Sequence, residues 1–205
     1  MNSLNLFSTP IYFNNIRIQK QDKNILLDEN YERFEINNGF VTSNKYVLEN
    51  KKLDFLKKEI IANLSIYLYQ ILKIKKNIKF EMLNSWCTKH SLNDWSQPHH
   101  HENSLISGVL YLRTFKNSGN LAFYRNGIPN IFPNCIKIEF EEHNINNSET
   151  FLVNPQDGDL ILFPSHLEHA VTKNLNNKDR YCCAFNFFAK GKLGTDKNSN
   201  YMEIK

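Results

Sequence analysis

The stretch SQPHHHENSLISGVLYL, residues 96–112, places three consecutive histidines directly before an apolar run. The run continues as LISGVLYLRTF to residue 115, and its near-continuous apolar character is typical of a core strand. Histidines beside a proline at the entrance to such a strand stand where a metal site can be built. We therefore take this stretch as the starting point for both the fold and the chemistry.

Short strand-like segments extend on both sides of this stretch. Before it, KFEMLNSWCT alternates, with Phe80, Met82, Asn84 and Trp86 on one face. After it come NLAFYR, CIKIEF, ETFLVNP, DLILFPS, HAVTKN and RYCCAFNFFA. These segments are rich in β-branched and aromatic residues and are separated by Asn, Gly, Pro and Asp. Seven or eight short strands without interleaved helices predict a β-sandwich, jelly roll or barrel.

The N-terminal part of the chain has a different pattern. Residues 48–74 carry apolar residues at steps of three and four, which predicts one long helix. The first forty residues read as an edge strand and loops. We therefore predict a single domain over residues 1–205, with an N-terminal helical and edge region (1–79), a jelly-roll core (80–190) and a loosely ordered tail (191–205).

Composition narrows the class of protein. The net charge is +4, but the lysines are scattered, so we do not expect nucleic-acid binding. The four cysteines have no CxxC spacing, which argues against a disulfide framework or zinc finger. No apolar stretch is long enough to span a membrane, and the opening MNSLNLFSTP does not resemble a signal peptide. We expect a reduced, cytoplasmic protein.

Alternation along a strand divides the histidine stretch into two pairs of potential metal ligands. His99 and His101 share one face, and His100 and Glu102 share the other. A third ligand must come from elsewhere, and His169 is the best candidate because it opens a strand after a Pro-Ser turn. The remaining histidines lack such a setting, and we expect His90 to lie at the surface.

The ligand type leaves several metals open. Non-heme Fe(II) oxygenases bind iron through two histidines and a carboxylate, and all-histidine sites also occur in β-barrel enzymes. Neutral imidazole is a good ligand for Fe, Zn, Cu and Ni alike.

Arg180 and Tyr111 are polar groups within apolar strand-like runs. A buried arginine is costly unless its guanidinium is paired, and its planar fork suits a carboxylate. The alternative is an exposed arginine at the strand entrance, next to Lys178 and Asp179. Tyr111 is either a core residue or a hydroxyl donor to the same carboxylate.

Four segments occur together in a recognisable order: QPHHHENSLISGVLYL, GNLAFYR, NPQDGDLILFPSHLEHAV and DRYCCAFNFF. In this order they resemble the 2-oxoglutarate/Fe(II)-dependent oxygenase family of bacteria and their phages. The resemblance covers residues 85–190 well and the first 80 residues weakly, where LFSTPIYF resembles the family's N-terminus.

The resemblance implies a mainly β fold with a double-stranded β-helix (jelly-roll) core that holds iron at its open end. It assigns His99, His101 and His169 to the metal, and Arg180 to the far carboxylate of 2-oxoglutarate with help from Tyr111. His101 departs from the wider superfamily, which carries a carboxylate at this position.

The departure leaves the third ligand open. A one-residue shift to His100 and Glu102 would restore a His-x-Glu pair, and Asn103 could act as a ligand or hydrogen-bond to one. Asn103 or Asn186 is expected to orient the histidines. We keep His99, His101 and His169 as the predicted metal ligands.

The function implied by the resemblance is an Fe(II)- and 2-oxoglutarate-dependent dioxygenase that uses O2 to hydroxylate an unidentified small molecule or protein side chain. One alternative is a cupin-like three-histidine dioxygenase without 2-oxoglutarate, and another is a non-catalytic jelly-roll module. The side chain of Arg180 separates the 2-oxoglutarate-dependent dioxygenase from the cupin-like one: an Arg180 that points into the barrel favours the first, and one that faces solvent favours the second. Loops at Asn126–Asn134 and Glu142–Ser148 are expected to choose the substrate. A homodimer is possible on this sequence.

Overall fold

Two antiparallel β-sheets form the body of the protein. The computed structural model describes residues 8–34, 38–125, 138–194 and 199–204. The elements in chain order are β1 (Tyr12–Asn15), α1 (Lys20–Leu27), β2 (Tyr31–Phe34), β3 (Gly39–Thr42), α2 (Asp54–Ile66), β4 (Lys79–His90), β5 (Ser96–His99), β6 (Ile106–Arg113), β7 (Leu121–Tyr124), β8 (Thr150–Val153), β9 (Asp159–Pro164), β10 (His169–Val171), β11 (Arg180–Leu193) and β12 (Met202–Ile204).

The larger sheet has the order β1-β9-β6-β11-β4-β3-β2, and β12 also pairs with β11. The smaller sheet has the order β5-β10-β7-β8. Between the histidine stretch and the C-terminal strands the chain alternates between the two sheets, which is the jelly-roll arrangement. The predicted mainly β fold with a double-stranded β-helix core and an N-terminal helical layer is confirmed.

The central strand β6 explains why this sequence forms three layers. Val109 and Tyr111 point between the two sheets, where they pack with Phe123 of the smaller sheet. Leu110 and Leu112 point the other way, into a separate core shared with the helices. A strand buried on both faces needs apolar residues at every position, which is why LISGVLYL reads as an unbroken run.

The helical layer covers the outer face of the larger sheet. Leu56, Ile60 and Leu64 of α2 are almost completely buried in the core that β6 and β11 share. Each such side chain contributes about 1.5–3 kcal/mol through its burial. The packing of this one face holds α2 in place.

The predicted helix over residues 48–74 is wrong at both ends. Two short 3-10 turns, Val47–Glu49 and Lys51–Leu53, come before α2, and a π-helical turn, Tyr67–Ile71, follows it. The wider π turn shifts the helical phase, so Ile71 is 48% exposed although the α-helical spacing would bury it.

Three further predictions need correction or lie outside the described residues. The histidine stretch is not one strand, because β5 ends at His99. The tail is not loose throughout, since β11 runs on to Leu193 and β12 pairs with it. Of the predicted strand CIKIEF, residues 135–137 lie outside the described residues and residues 138–140 are not in a strand. The single-domain assignment stays a prediction.

Among the described residues, no helix has the length and apolar character needed to cross a membrane.

Gly108 of β6 offers a test of how tightly the helix-side core is packed. A Cβ at this position would lie 2.3 Å from Phe185 and 2.6 Å from Leu162. We predict that Gly108→Ala lowers the free energy of unfolding by about 1–3 kcal/mol, because the core has no space for the methyl group. Urea denaturation measures the change.

Phe185→Leu provides the matched rescue. It shortens the side chain that a methyl group at position 108 would meet first. The double variant should therefore be more stable than the sum of the two single effects implies. Strict additivity would show that the close approach at Gly108 does not limit packing.

Candidate metal and co-substrate site

Three histidines, two from the end of β5 and the residues after it and one from β10, meet between the two sheets. His99 ends β5 and His169 begins β10, and these two residues are direct cross-strand partners. His101 lies in the turn after β5, where its backbone N–H donates to the Ser165 carbonyl at 3.0 Å. One ring nitrogen of each histidine lies within 4.8 Å of the others. The structure thus brings together the three histidines that the sequence singled out.

Hydrogen bonds fix which nitrogen of His99 and His169 faces the centre. His99 Nδ1 lies 2.8 Å from the Gln97 carbonyl, and His169 Nδ1 lies 2.9 Å from the Leu167 carbonyl. A carbonyl can only accept, so each Nδ1 carries the proton. The Nε2 lone pair of each ring is therefore left for a metal, as in known metal sites.

His101 is held by side chains instead of a carbonyl. Its Nδ1 lies 2.6 Å from Asn186 Oδ1 and 3.0 Å from Ser107 Oγ. Asn186 Nδ2 donates to Asn84 Oδ1 at 3.1 Å, which turns the amide oxygen of Asn186 toward His101. This contact places the proton on Nδ1 of His101, as in the other two histidines, and leaves its Nε2 lone pair for a metal.

Burial keeps the inner two histidines uncharged. Desolvation lowers the pKa of His101 to about 4, with the neighbouring imidazoles adding to the shift and the Asn186 hydrogen bond opposing it. Desolvation lowers the pKa of His169 to about 3, again helped by His99 and His101. Both rings are neutral at pH 7, which is the form that binds metal.

The alternative ligands point elsewhere. His100 and Glu102 are exposed and are not part of the cluster of ligand atoms. Asn103 is also exposed and has a φ of 55°, a left-handed conformation that asparagine tolerates better than most residues. Because β5 ends at His99, strand alternation does not relate His101 to Asn103.

Arg180 is completely buried on the inner face of β11. Its Nη1 donates to the Gly119 carbonyl at 3.3 Å, and one face of the guanidinium is 5.8 Å from the centre of the Tyr111 ring. Within the part of the chain that the structure describes, its Nε has no hydrogen-bond partner. No carboxylate of the described residues forms an ion pair with it. The alternative of an exposed arginine at a strand entrance is therefore wrong.

Tyr111 lies beside this guanidinium and is also buried. Burial raises the pKa of Tyr111, while the positive charge of Arg180 acts in the opposite direction. Its phenol group is therefore protonated at neutral pH and can donate a hydrogen bond.

His90 is a buried contact of Arg180 that the sequence reasoning missed. The expectation that it lies at the surface is wrong, because it is 3% exposed and its Nδ1 lies 3.0 Å from Arg180 Nη2. The signal was available: the alternation that places Asn84 and Trp86 on one face continues through Thr88 to His90. The predicted strand stopped at Thr88, two residues short.

Comparison with known proteins gives a family and a fold. The sequence pattern of a family described as "Putative 2OG-Fe(II) oxygenase" matches residues 84–186, half of the chain. Among proteins with curated descriptions, no sequence match is found.

Solved structures resemble the fold at low sequence identity. HygX from Streptomyces hygroscopicus, solved with nickel and 2-oxoglutarate bound, aligns with a TM-score of 0.59 and 10% identity over 96% of this chain and 93% of that one. A prolyl-4-hydroxylase from Pseudomonas putida aligns at 0.54 and 13%, covering 90% and 95%. A 2OG-Fe(II) oxygenase family oxidoreductase from Burkholderia pseudomallei aligns at 0.56 and 10%, covering 82% and 76%.

The neutral buried histidines predict how stability depends on pH. The pKa of His169 is about 3 in the folded protein, below the ordinary value of 6.5, so the unfolded chain binds more protons between these values. The contribution of the neutral His169 to the free energy of unfolding should therefore be fully present above pH 6.5. Below pH 6.5 the free energy of unfolding should decrease as the pH falls, by about 1.4 kcal/mol per pH unit for this residue.

Urea denaturation of the metal-free protein at several pH values measures this dependence. His169→Asn should give a shallower dependence than the wild type between pH 6.5 and 4, because it removes one of the groups that must be protonated. Equal slopes for the two proteins would contradict the assignment of a buried, neutral His169.

Proposed function

Because this chain belongs to the 2OG-Fe(II) oxygenase family, we propose that it is an Fe(II)- and 2-oxoglutarate-dependent dioxygenase that hydroxylates its substrate. The single observation that carries the proposal is the combination of a three-histidine cluster with a buried arginine that has no carboxylate partner among the described residues. The first feature fits a divalent metal, and the second fits a dicarboxylic acid.

The donor set fits Fe(II). His99, His101 and His169 would hold the metal through Nε2, and each ring is already oriented by a hydrogen bond at Nδ1. When bound, Fe(II) supplies the redox chemistry that couples oxidation of 2-oxoglutarate by O2, to succinate and carbon dioxide, with oxidation of the substrate. The protein would supply three neutral imidazole ligands, and the metal's remaining positions would be taken by the reactants.

Arg180 fits the far carboxylate of 2-oxoglutarate. A buried cation without a counter-ion is unfavourable, and a bound carboxylate would remove this cost. The guanidinium has an unpartnered Nε and presents a planar donor group to such an anion. Tyr111 is a protonated phenol beside it and would donate a further hydrogen bond to the same carboxylate.

Aromatic side chains surround the histidines and limit the access of water. Phe163 packs with its ring centre 4.8 Å from that of His169, and Trp86 lies 5.5 Å from His101. Such apolar walls strengthen electrostatic interactions in the site and protect reactive species from water. The rings of Phe163 and Trp86 thus form apolar walls beside the three histidines.

For the substrate we propose only a chemical class, which is a small molecule or a protein side chain. The predicted substrate loop at residues 126–134 lies outside the described residues. The second predicted loop, Glu142–Ser148, is held at Ile145 and Asn146 by hydrogen bonds from Arg125 just after β7. Its role in substrate choice stays a prediction, as does a homodimer.

Anaerobic titration tests the proposal directly. Adding Fe(II) and then 2-oxoglutarate should produce the weak visible charge-transfer band of a chelated 2-oxo acid, and admitting O2 should yield succinate. A protein that binds Fe(II) but gives neither the band nor succinate would support the cupin-like alternative. A protein that binds no Fe(II) would favour the non-catalytic alternative.

Two variants separate the metal site from the co-substrate site. Arg180→Ala should weaken 2-oxoglutarate binding by at least about a hundredfold while leaving Fe(II) affinity unchanged, because it removes a charge-assisted pair and no ligand. His169→Ala should lose both. Arg17→Ala, which changes an exposed arginine, is the matched control and should bind both as the wild type does. Equal 2-oxoglutarate affinity in Arg180→Ala and Arg17→Ala would remove Arg180 from the site.

A further inference from the structure

We propose that His90 is a positioning residue for the co-substrate: it holds the Arg180 guanidinium through a neutral acceptor, which fixes its direction and leaves its positive charge available. This inference rests on the proposed function, since it concerns how Arg180 is prepared for the far carboxylate of 2-oxoglutarate. His90 would act through Arg180 and would not touch the co-substrate itself.

The contacts of Arg180 show why His90 matters. Its Nη2 donates to His90 Nδ1 at 3.0 Å, and its Nη1 donates to the Gly119 carbonyl at 3.3 Å. Both acceptors are uncharged. They satisfy two parts of the fork and leave Nε without a partner. A carboxylate in place of either acceptor would satisfy the same donors but would also neutralise the cation.

The His90 ring is itself held firmly. Its Nε2 lies 3.0 Å from Ser96 Oγ at the start of β5, so this contact links the larger sheet to the smaller one. Its carbonyl accepts from Asn174 Nδ2 at 2.8 Å. On the remaining side there is little room, because a Cβ at Gly39 would lie 3.1 Å from the ring. The direction of Nδ1 is therefore set by the fold.

The hydrogen bond from Arg180 also determines the tautomer. A guanidinium can only donate, so Nδ1 of His90 must be the acceptor and Nε2 must carry the proton that it donates to Ser96. Desolvation lowers the pKa of His90 well below its ordinary value, and the positive charges of Arg180 and Arg33 act in the same direction. A second cation at this position is therefore avoided, and the ring stays neutral.

The backbone register of the sheet also places His90 opposite Arg180. The two residues are direct partners across the β4–β11 pair, just as Asn84 and Asn186 are partners beside His101. The same pair of strands thus supports the far-carboxylate end of the site at one point and the metal end at another. This repeated arrangement argues that His90 on β4 holds Arg180 as Asn84 on β4 holds Asn186.

His90→Asn and His90→Asp form a matched pair for the test. Both shorten the side chain to nearly the same shape and keep an acceptor, but only the aspartate carries a negative charge that would pair with Arg180. The two probes are 2-oxoglutarate and 2-oxopentanoate, which has the same chain length and no far carboxylate. Affinities are measured anaerobically with Fe(II) from the charge-transfer band.

We expect His90→Asn to bind 2-oxoglutarate within about threefold of the wild type and His90→Asp to bind it about a hundredfold more weakly. For 2-oxopentanoate the two variants should agree within about threefold, because no far carboxylate competes for Arg180. Fe(II) affinity is read from quenching of Trp86 fluorescence in a Trp95→Phe background, because Trp86 lies 5.5 Å from His101. It should be equal in all of these proteins, since His90 is not one of the predicted metal ligands.

Two results would overturn the inference. The first is equal 2-oxoglutarate affinity in the Asn and Asp variants. The second is an Asp variant that binds 2-oxoglutarate and 2-oxopentanoate more weakly by the same factor, which indicates general structural damage. If His90→Asp does not fold, His90→Leu replaces it. Leucine removes the acceptor without adding charge and should weaken only 2-oxoglutarate binding, by about tenfold relative to His90→Asn. Equal binding by the Leu and Asn variants would then overturn it.

The outcome for the wild-type protein separates this inference from the proposed function. A wild type that gives no charge-transfer band with either acid contradicts the proposed function itself. A wild type that binds 2-oxoglutarate through Arg180, but whose affinity does not depend on the residue at position 90, contradicts only the role of His90.

Discussion

The register between β4 and β11 is the constraint on which the site depends. It pairs Asn84 with Asn186 near the metal position and His90 with Arg180 at the other end. Side chains alternate between faces along a strand, so a slip of one residue would move every inward-pointing polar group to the helix side. The helix-side core, with Cys183 and Phe185 packed beneath α2, opposes such a slip, because apolar side chains fill it and a guanidinium moved there would lose its acceptors Gly119 and His90.

The same register solves the problem of placing polar groups inside a β-sandwich. Several inward polar groups near the site find a partner across the pair: Thr88 contacts Cys182 at 3.0 Å, and Asn186 donates to Asn84. Ser107 of β6 extends this network to Ser165, which follows β9, at 2.8 Å. Such partners offset the cost of burying polar groups, and Arg180 Nε is the exception among the described residues of the site.

The sequence predicted the three-histidine cluster better than the rest of the site, because the signal for these histidines was local. A His-x-His motif before a core strand and one histidine at the start of a later strand are visible without knowledge of the sheet order. The partner of Arg180 was not visible in this way. It depends on the pairing of strands ninety residues apart, and no local pattern around His90 indicates a cationic neighbour.

The first forty residues were predicted to hold one edge strand and loops, and β1 is such an edge strand, but α1 and β2 were missed. The sequences of β1 and β2, YFNN and YERF, are short and largely polar, and they lie at the two edges of the larger sheet. Strand formation at an edge depends on the neighbouring strand more than on intrinsic preference. The helix ends were misjudged because the π turn at Tyr67–Ile71 is a change of phase that apolar spacing alone does not show.

The charges of the site explain why its neutral groups are arranged as they are. An all-imidazole ligand set would leave the full charge of a divalent metal uncompensated, and Arg180 is a positive centre held by uncharged acceptors. Two separated positive centres in a site of low polarity favour a ligand with two negative ends. A monoanion would satisfy one centre and leave the other buried without a counter-ion, which is unfavourable. On the proposed function, selection for a dicarboxylic acid would follow from the lack of a carboxylate partner for Arg180 among the described residues.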